Sequence, residues 1–291
     1  MKILNYKLPP DFNLFLGGDN HIGAAARSSS GFRKLVDMLH SSYGGLGDDR
    51  NFYIDHGDVI EAIMTDDKRF QSATTKMALI LDQIYEALRQ YDPIKTKTLC
   101  ILHGNHELKL HRFGNIVLDF CKRLFGDERA HRRYGTFSAK LVYRDLNGEV
   151  YFRHFATHGR KSIGSVADDP ERQIANMRIQ LKRHMYRKAG DCLIQSKGHT
   201  HRLFHRAPFR EIYLTDNGEE LEQRYTTQNM ESKGFIHPDS RWYFNTGSFL
   251  RTFVPGEITY SEAAEYDPTE LGFYILPVRD GVPQHPERVT V

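Results

Sequence analysis

Apolar residues in this chain fall into short runs that stop at glycine, aspartate, asparagine or histidine, and these alternate with stretches of helical spacing. Residues 13–16 are such a run, closed by Gly17-Gly18-Asp19-Asn20-His21, which predicts a strand followed by a loop. Phe32, Leu35, Val36 and Leu39 then recur at the spacing of one helix face. A second strand is predicted over 51–54 and stops at Asp55-His56-Gly57-Asp58. Met77, Ile80, Leu81, Ile84 and Leu88 predict a long helix ended by Asp92-Pro93. A third strand over 99–102 runs into His103-Gly104-Asn105-His106-Glu107. Strand, loop and helix repeated in this order argue for right-handed βαβ units around a largely parallel sheet.

After a further predicted helix over 116–124 the pattern changes. Residues 137–143 and 150–156 read as two strands around Asn147-Gly148, a hairpin signal. The second runs into Thr157-His158-Gly159. Asp169-Pro170 opens a helix with Ile174, Met177, Leu181 and Met185 on one face and Arg172, Arg178, Lys182, Arg183 and Arg187 on the other. Residues 192–194 lead to Gly198-His199-Thr200-His201. Another hairpin is predicted around Asp216-Asn217-Gly218, and 242–244 lead into Asn245-Thr246-Gly247-Ser248. With no internal repeat and no linker-like stretch, the 291 residues read as one domain. Its motifs span 13–250, and 251–291 form an extension packed on it.

Composition narrows the class. A hydrophobic fraction of 40% and a charged fraction of 26% are those of a globular protein, and 18 Phe with 15 Tyr exclude disorder. No apolar run approaches the roughly 18–20 residues of a membrane span. Three widely spaced cysteines, Cys100, Cys121 and Cys192, fit no zinc-finger spacing and read as reduced thiols of a cytoplasmic protein. The net charge of +3 is unremarkable, but its distribution is uneven. Lys and Arg outnumber Asp and Glu by seven to three over 109–134 and by eight to three over 160–188. Over 255–291 the balance reverses, two to seven. The basic stretches are either solvated helix faces or a positive wall beside a phosphate site.

The 15 histidines carry the chemistry, because several stand beside Gly, Asp or Asn where a strand ends. Five loops share this feature: Asp19-Asn20-His21, Gly57-Asp58, Gly104-Asn105-His106-Glu107, His158-Gly159 and Gly198-His199-Thr200-His201. Any one alone is most often a simple turn. Five in order, each after a strand, form a set of hard oxygen donors and imidazoles that suits Mn, Fe, Zn or Ni. On extended backbone, residues i and i+2 point to the same side, so Asp19 with His21, and His199 with His201, are each expected to aim at one cluster. His56 and His103 precede site glycines and read either as supports of the site or as packed histidines, while His154 reads as structural.

This ordered set, Asp19-x-His21, Gly57-Asp58-x-x-Glu61, Gly104-Asn105-His106-Glu107, His158 and Gly198-His199-x-His201, resembles the calcineurin-like metallophosphoesterase family. Asn245-Thr246-Gly247-Ser248 resembles a turn found late in its bacterial and phage members. The resemblance implies an α/β fold, a four-layer αββα sandwich of two mixed β-sheets flanked by helices. It also implies two divalent metal ions, Mn²⁺ foremost and Fe, Zn or Ni as alternatives. Asp19, His21 and His201 would hold the first ion, Asn105, His158 and His199 the second, and Asp58 would bridge them. His106 would face the scissile phosphate and act on the leaving oxygen. A carboxylate three residues after the bridging Asp orients that histidine in the family. It is commonly Asp, and here it is Glu61.

The implied activity is a phosphoesterase, with a phosphate-ester substrate and no membrane partner. A phosphodiesterase acting on DNA, RNA or nucleotides comes first, with the basic central stretches in its favour. A phosphomonoesterase on phosphoprotein or small phosphates is the alternative. A metal-binding scaffold without activity is the third reading, and every ligand position being filled argues against it. His111, Arg112, Arg160 and Lys161 follow the motifs closely enough to touch a substrate phosphate. The acidic 255–291 stretch would repel a phosphate backbone, which favours a compact enzyme acting on ends, single strands or small diesters.

Overall fold

A computed structural model describes residues 1–67, 70–226, 234–256 and 259–291. Glu257 of the acidic stretch lies outside the described residues. The three predicted βαβ strands are β2 (Phe12–Gly17), β3 (Asn51–Asp55) and β4 (Thr98–Ile101), after an N-terminal strand β1 (Lys2–Lys7). The pairs β2–β3 and β3–β4 are parallel. Between them lie α1 (Ser29–Leu39) and α2 (Ile80–Tyr91). Ser28 Oγ caps α1 by accepting from Gly31 N at 3.2 Å, which satisfies one of the orphan amides of its first turn. In α2 the buried stripe is Ile84, Ala87 and Tyr91, while Leu81 is exposed and Met77 precedes the helix. The stripe follows the i, i+3, i+7 face that meets the sheet, so the expected Met77 start and the inward Leu81 are both corrected.

The second half supplies α3 (Asn105–Leu108), α4 (Ile116–Phe125), α5 (Asp127–Arg133), β5 (Ser138–Arg144), β6 (Val150–Thr157), α6 (Pro170–Met185), β7 (Ile194–Lys197), β8 (Leu203–Arg206) and the hairpin β9 (Ile212–Asp216) with β10 (Leu221–Tyr225). It ends with β11 (Trp242–Thr246), α7 (Tyr260–Ala263), β12 (Gly272–Arg279), β13 (Val282–Pro283) and β14 (Glu287–Thr290). One mixed sheet has the order β1-β5-β6-β7-β11-β8, and the other the order β13-β12-β2-β3-β4, with β14 on β12. The 251–291 stretch is thus part of the framework, since β12 pairs antiparallel with β2 inside a sheet.

Side-chain alternation along the strands sorts the core into three layers of contact. Leu14, Leu16, Tyr274 and Leu276 of one sheet meet Leu141, Phe152 and Phe244 of the other. The opposite faces, Phe15, Phe273 and Ile275, pack under α1, α2 and α4 with Phe32, Ile84 and Phe120. Phe155 and Tyr243, on the outer face of the first sheet, pack under Met177, Leu181 and Met185 of α6. The result is helix, sheet, sheet, helix, the four-layer sandwich. Ile174, expected in the α6 stripe, is 39% exposed. Among the described residues no helix is long and apolar enough to cross a membrane. The three cysteines are buried thiols.

Candidate functional site

Both sheets deliver their chemistry at one edge. Asp19 and His21 follow β2, Asp58 follows β3, and Asn105 opens α3 just beyond β4, all from one sheet. His158 follows β6, and His199 and His201 follow β7, from the facing sheet. The loops are stitched across the gap. His199 N donates to Asp19 Oδ2 at 3.0 Å, and His158 Nδ1 donates to the His56 carbonyl at 2.7 Å. Facing strand ends that meet in this way make a crevice with rigid walls.

The backbone at these positions is not extended. Asp19 (φ 51°), His21 (φ 50°), Asp58 (φ 51°), His199 (φ 75°) and His201 (φ 53°) are all left-handed. Each such non-glycine residue costs of order 1–3 kcal/mol, and such strain concentrates at functional sites. The side chains therefore converge through tight turns, which corrects the same-side argument for extended i and i+2 residues. The His199/His201 pair is in fact split between two groups.

Asp19, His21 and His201 form the first group, and Asp58, His158 and His199 the second, with the donor atoms of each within 4.8 Å of one another. His21 Nε2 and His201 Nε2 stand 3.2 Å apart, and His201 Nε2 lies 3.2 Å from Asp19 Oδ1. In the second group His158 Nε2 is 3.3 Å from Asp58 Oδ2 and 2.8 Å from the amide oxygen of Asn105. Asp58 Oδ2 is also 3.8 Å from His21 Nε2, so this carboxylate stands between the groups. No thiol takes part. Buried carboxylate, amide and imidazole donors converging on two points are the chemistry of a divalent-cation site.

Electrostatics follow from this packing. Burial raises the Asp19 carboxyl, but the bond and charge of His201 override it and hold it at about 2. Burial likewise works against Asp58, and the His158 and His106 imidazoles bring it well below the usual carboxylate range. Burial pushes His158 down and Asp58 more than offsets it, to about 9. His199 meets burial and the His158 charge together and falls to about 4.

His106 and Glu61 lie on the rim of this group. His106 N donates to Asp58 Oδ1 at 2.9 Å, and its Nδ1 donates to the Glu61 carbonyl at 2.5 Å. The Glu61 carboxylate is 3.8 Å from His106 Nδ1 but 2.7 Å from His21 Nδ1. At 2.7 Å the latter is a hydrogen bond, which leaves the third close set, His21, Glu61 and His106, better read as a bonded network than as a metal group. Burial lowers the His106 imidazole below its ordinary value.

Glu107, which the motif contains but which the chemistry of the residue types does not single out, is a buried clamp. It accepts from Gly104 N at 3.0 Å and Ile60 N at 3.1 Å, tying the Asn105 loop to the Asp58 loop. His56, His154 and Ser196 form a support behind the site. The single Ser196 hydroxyl lies 2.5 Å from His56 Nε2 and 2.6 Å from His154 Nε2. His103 is buried beside the site, and its Nδ1 donates to the Gly104 carbonyl at 2.9 Å. Ser248 Oγ donates to the Asp19 carbonyl at 3.0 Å, and Asn245 Nδ2 donates to Thr200 Oγ1, so the late Asn-x-Gly-Ser turn braces two of the loops.

A cavity of about 560 Å³ opens over the cluster, with His21, Asp58, Asn105, His106, His199 and His201 on its floor. His111, Arg112 and Arg160 do not line it. Arg112 pairs with Asp66 at 2.9 Å, Arg160 sits over the Phe137 ring, and the His111 ring lies beside His103. Two residues of the basic face of α6 are also engaged elsewhere. Lys182 pairs with Asp239 at 2.7 Å and Arg178 Nε donates to the His205 carbonyl at 2.9 Å. Among the described residues the Lys and Arg side chains on the cavity lining are Arg202 and Arg251, which have no motif around them that marks them in the sequence.

No family model matches the chain, and no curated protein is similar to it. Among solved structures, the calcineurin-like phosphoesterase YfkN from Bacillus subtilis aligns at 12% identity over 97% of this chain and 91% of that one, with a TM-score of 0.36. A serine/threonine phosphatase from Saccharomyces cerevisiae with similarity to human phosphatase PP5 aligns at 12% identity over 72% of this chain and 56% of that one, with a TM-score of 0.26.

Proposed function

We propose that the protein is a dimetal phosphoesterase of the calcineurin-like type that hydrolyses phosphate esters, with a phosphodiester of a nucleotide or nucleic acid as the first reading. The observation that carries it is the pair of adjacent groups, Asp19–His21–His201 and Asp58–His158–His199, with Asn105 at the second and Asp58 between them. Asp19, His21 and His201 would hold one cation, Asn105, His158 and His199 the other, and Asp58 would be shared. Buried oxygen and nitrogen donors without a thiol fit Mn²⁺ first, and Fe, Zn or Ni also. Two such cations supply Lewis acidity, neutralising phosphate oxygens and making water acidic enough to attack near neutral pH.

The protein's own groups define what remains. Nδ1 of His106 is committed as donor to the Glu61 carbonyl, so the proton this side chain can deliver is the one on Nε2. Burial favours the neutral imidazole, whose one proton is then on Nδ1, so His106 would act as general acid toward a leaving oxygen only after Nε2 has taken up a proton. A monoesterase is the second reading, because among the described residues Arg112 and Lys182 of the basic stretches are paired with Asp66 and Asp239 and do not line the cavity.

The test is a paired rate assay. Metal-stripped protein is reloaded with Mn²⁺ and given bis(p-nitrophenyl) phosphate and p-nitrophenyl phosphate side by side. The first reading expects the diester to be faster, and a faster monoester selects the second. Asp58→Asn should remain folded and lose turnover; full activity in that variant would sink the dimetal reading. His106→Ala should keep its metals and lose about 10²–10⁴-fold on poor leaving groups.

A further inference from the structure

One wall of the cavity is made by chain that carries none of the metal-site motifs. After β11 the backbone turns at Gly247 (φ 79°), where an added Cβ would come within 2.5 Å of the Gly272 carbonyl oxygen. It then runs against the Asp19 loop. Phe249 N donates to the Asp19 carbonyl at 3.1 Å, and Arg251 N donates to the Ala26 carbonyl at 2.9 Å. Three threonines fold the segment back on itself. Thr259 Oγ1 donates to the Thr252 carbonyl at 2.6 Å, and the Thr252 and Thr269 hydroxyls are 3.2 Å apart. This segment is therefore clipped both to itself and to a loop of the site, and it places Arg251, Thr252, Glu265 and Asp267 on the cavity lining. Arg202, next to His201, joins them.

The charges on this lining are of both signs. Among the described residues Arg202, Arg251, Glu265 and Asp267 have no ion-pair partner. A polynucleotide backbone is gripped by an unbroken run of cations, and carboxylates at the mouth oppose it. A small ester that carries an anionic oxygen together with hydroxyl or amino donors has a use for both signs. The volume of about 560 Å³ also falls within the roughly 300–1,000 Å³ of pockets that enclose one small molecule.

We infer that residues 250–256 and 259–269 form the substrate-selecting wall of the site, and that the substrate is a phosphate ester whose organic group is about the size of a nucleoside and bears hydrogen-bond donors. Arg202 and Arg251 receive the non-reacting anionic oxygens, and Glu265 and Asp267 receive the hydroxyl or amino groups. This rests on the phosphoesterase reading above.

The experiment has a binding arm and a kinetic arm. In the first, adenosine 5′-monophosphate and inorganic phosphate are titrated by calorimetry into the Mn²⁺-loaded wild type, Glu265→Ala and Asp267→Ala. The wall expects each variant to weaken the nucleotide about tenfold more than phosphate, the equivalent of about 1.4 kcal/mol. In the second, kcat/KM for a p-nitrophenyl nucleotide ester is compared with that for p-nitrophenyl phosphate and with hydrolysis of a short oligonucleotide, single-stranded and duplex. The nucleotide ester should be preferred by the wild type, and the preference should fall about tenfold in both variants, mainly through KM. Equal losses on nucleotide and phosphate, or an oligonucleotide preferred over the nucleotide ester, overturn the inference. A wild type that turns over no aryl phosphate with any metal overturns the phosphoesterase reading instead, and the binding arm then still decides on the wall.

Discussion

The Glu61 carboxylate is bonded to His21, at 2.7 Å from Nδ1, while His106 rests on the carbonyl of the same residue. One residue thus orients two imidazoles by different atoms. The longer Glu side chain carries its carboxylate past His106, which stays 3.8 Å away, and onto His21. A hydrogen bond to Nδ1 leaves Nε2 of His21 as the nitrogen facing Asp19 and His201. Burial lowers the His21 imidazole, and the Glu61 charge more than compensates, raising it to about 9.

Glu61→Gln should therefore act on the first metal group more than on His106. Loss of a carboxylate behind a ligating histidine typically costs about 10–100-fold in metal affinity. Calorimetric titration of Mn²⁺ into metal-stripped Glu61→Gln should show one of two sites weakened by that factor. Two sites of wild-type affinity would mean that the Glu61–His21 bond does not support a ligand.

Gly104 lies where the Asp58 and Asn105 loops touch. A Cβ there would overlap Asp58 Oδ1 and Asp58 N, and the facing Gly57 (φ 92°) is close enough that its own Cβ would come within 2.7 Å of Gly104 N. Gly104→Ala should displace the Asp58 loop and cost about 1–3 kcal/mol, as overpacking does. Urea unfolding of the metal-free protein measures that cost, and metal titration of the same variant should show weaker binding at both groups. Wild-type stability with full metal affinity would refute the close contact.

The His56–Ser196–His154 support predicts a pH effect. Burial holds the His56 imidazole down, at about 4, so it is neutral in the folded protein. A histidine kept neutral on folding contributes stability that is complete above its unfolded value near 6.5. That contribution is lost as pH falls toward about 4, because the unfolded chain then binds the extra proton. The destabilisation caused by His56→Gln should accordingly be largest near pH 7 and shrink on acidification, by up to about 1.4 kcal/mol per pH unit. Ser196→Ala, which strips both histidines of their shared hydroxyl, should cost about 1–3 kcal/mol at pH 7. A His56→Gln cost that is flat from pH 7 to 4.5 would argue against a neutral, buried His56.

Much of this was legible along the chain, because its signals are local. Short apolar runs stopped by Gly-Asp and Gly-Asn marked β2, β3 and β4, and spacing marked α1, α4 and α6. The donor types at five strand ends followed from the same reading. What the chain could not display were relationships set by long-range packing. β12 enters the sheet beside β2 from more than 250 residues away, so its pairing leaves no local trace. Leu81 faces out and Ala87 faces in because the sheet, and not the helix, chooses which stripe is buried. The left-handed turns at His199 and His201, and the hydrogen bond from His199 N to Asp19, 180 residues earlier, are likewise set by packing that no local pattern displays.

Charge showed the same limit. The basic stretches were visible as composition, but whether a guanidinium faces a substrate or a carboxylate is decided by what folds next to it. Arg112 found Asp66, while Arg202 and Arg251, unremarkable in the sequence, were carried to the cavity by the chain after β7 and after β11. By itself the sequence determined the kinds of donor atom and the strand ends that carry them, through periodicity and turn chemistry. The tertiary structure alone decided which contacts support those donors, such as Glu61 on His21 and Ser196 on His56 and His154, and what walls the site, because those contacts join segments whose separation in the chain holds no information about their distance in space.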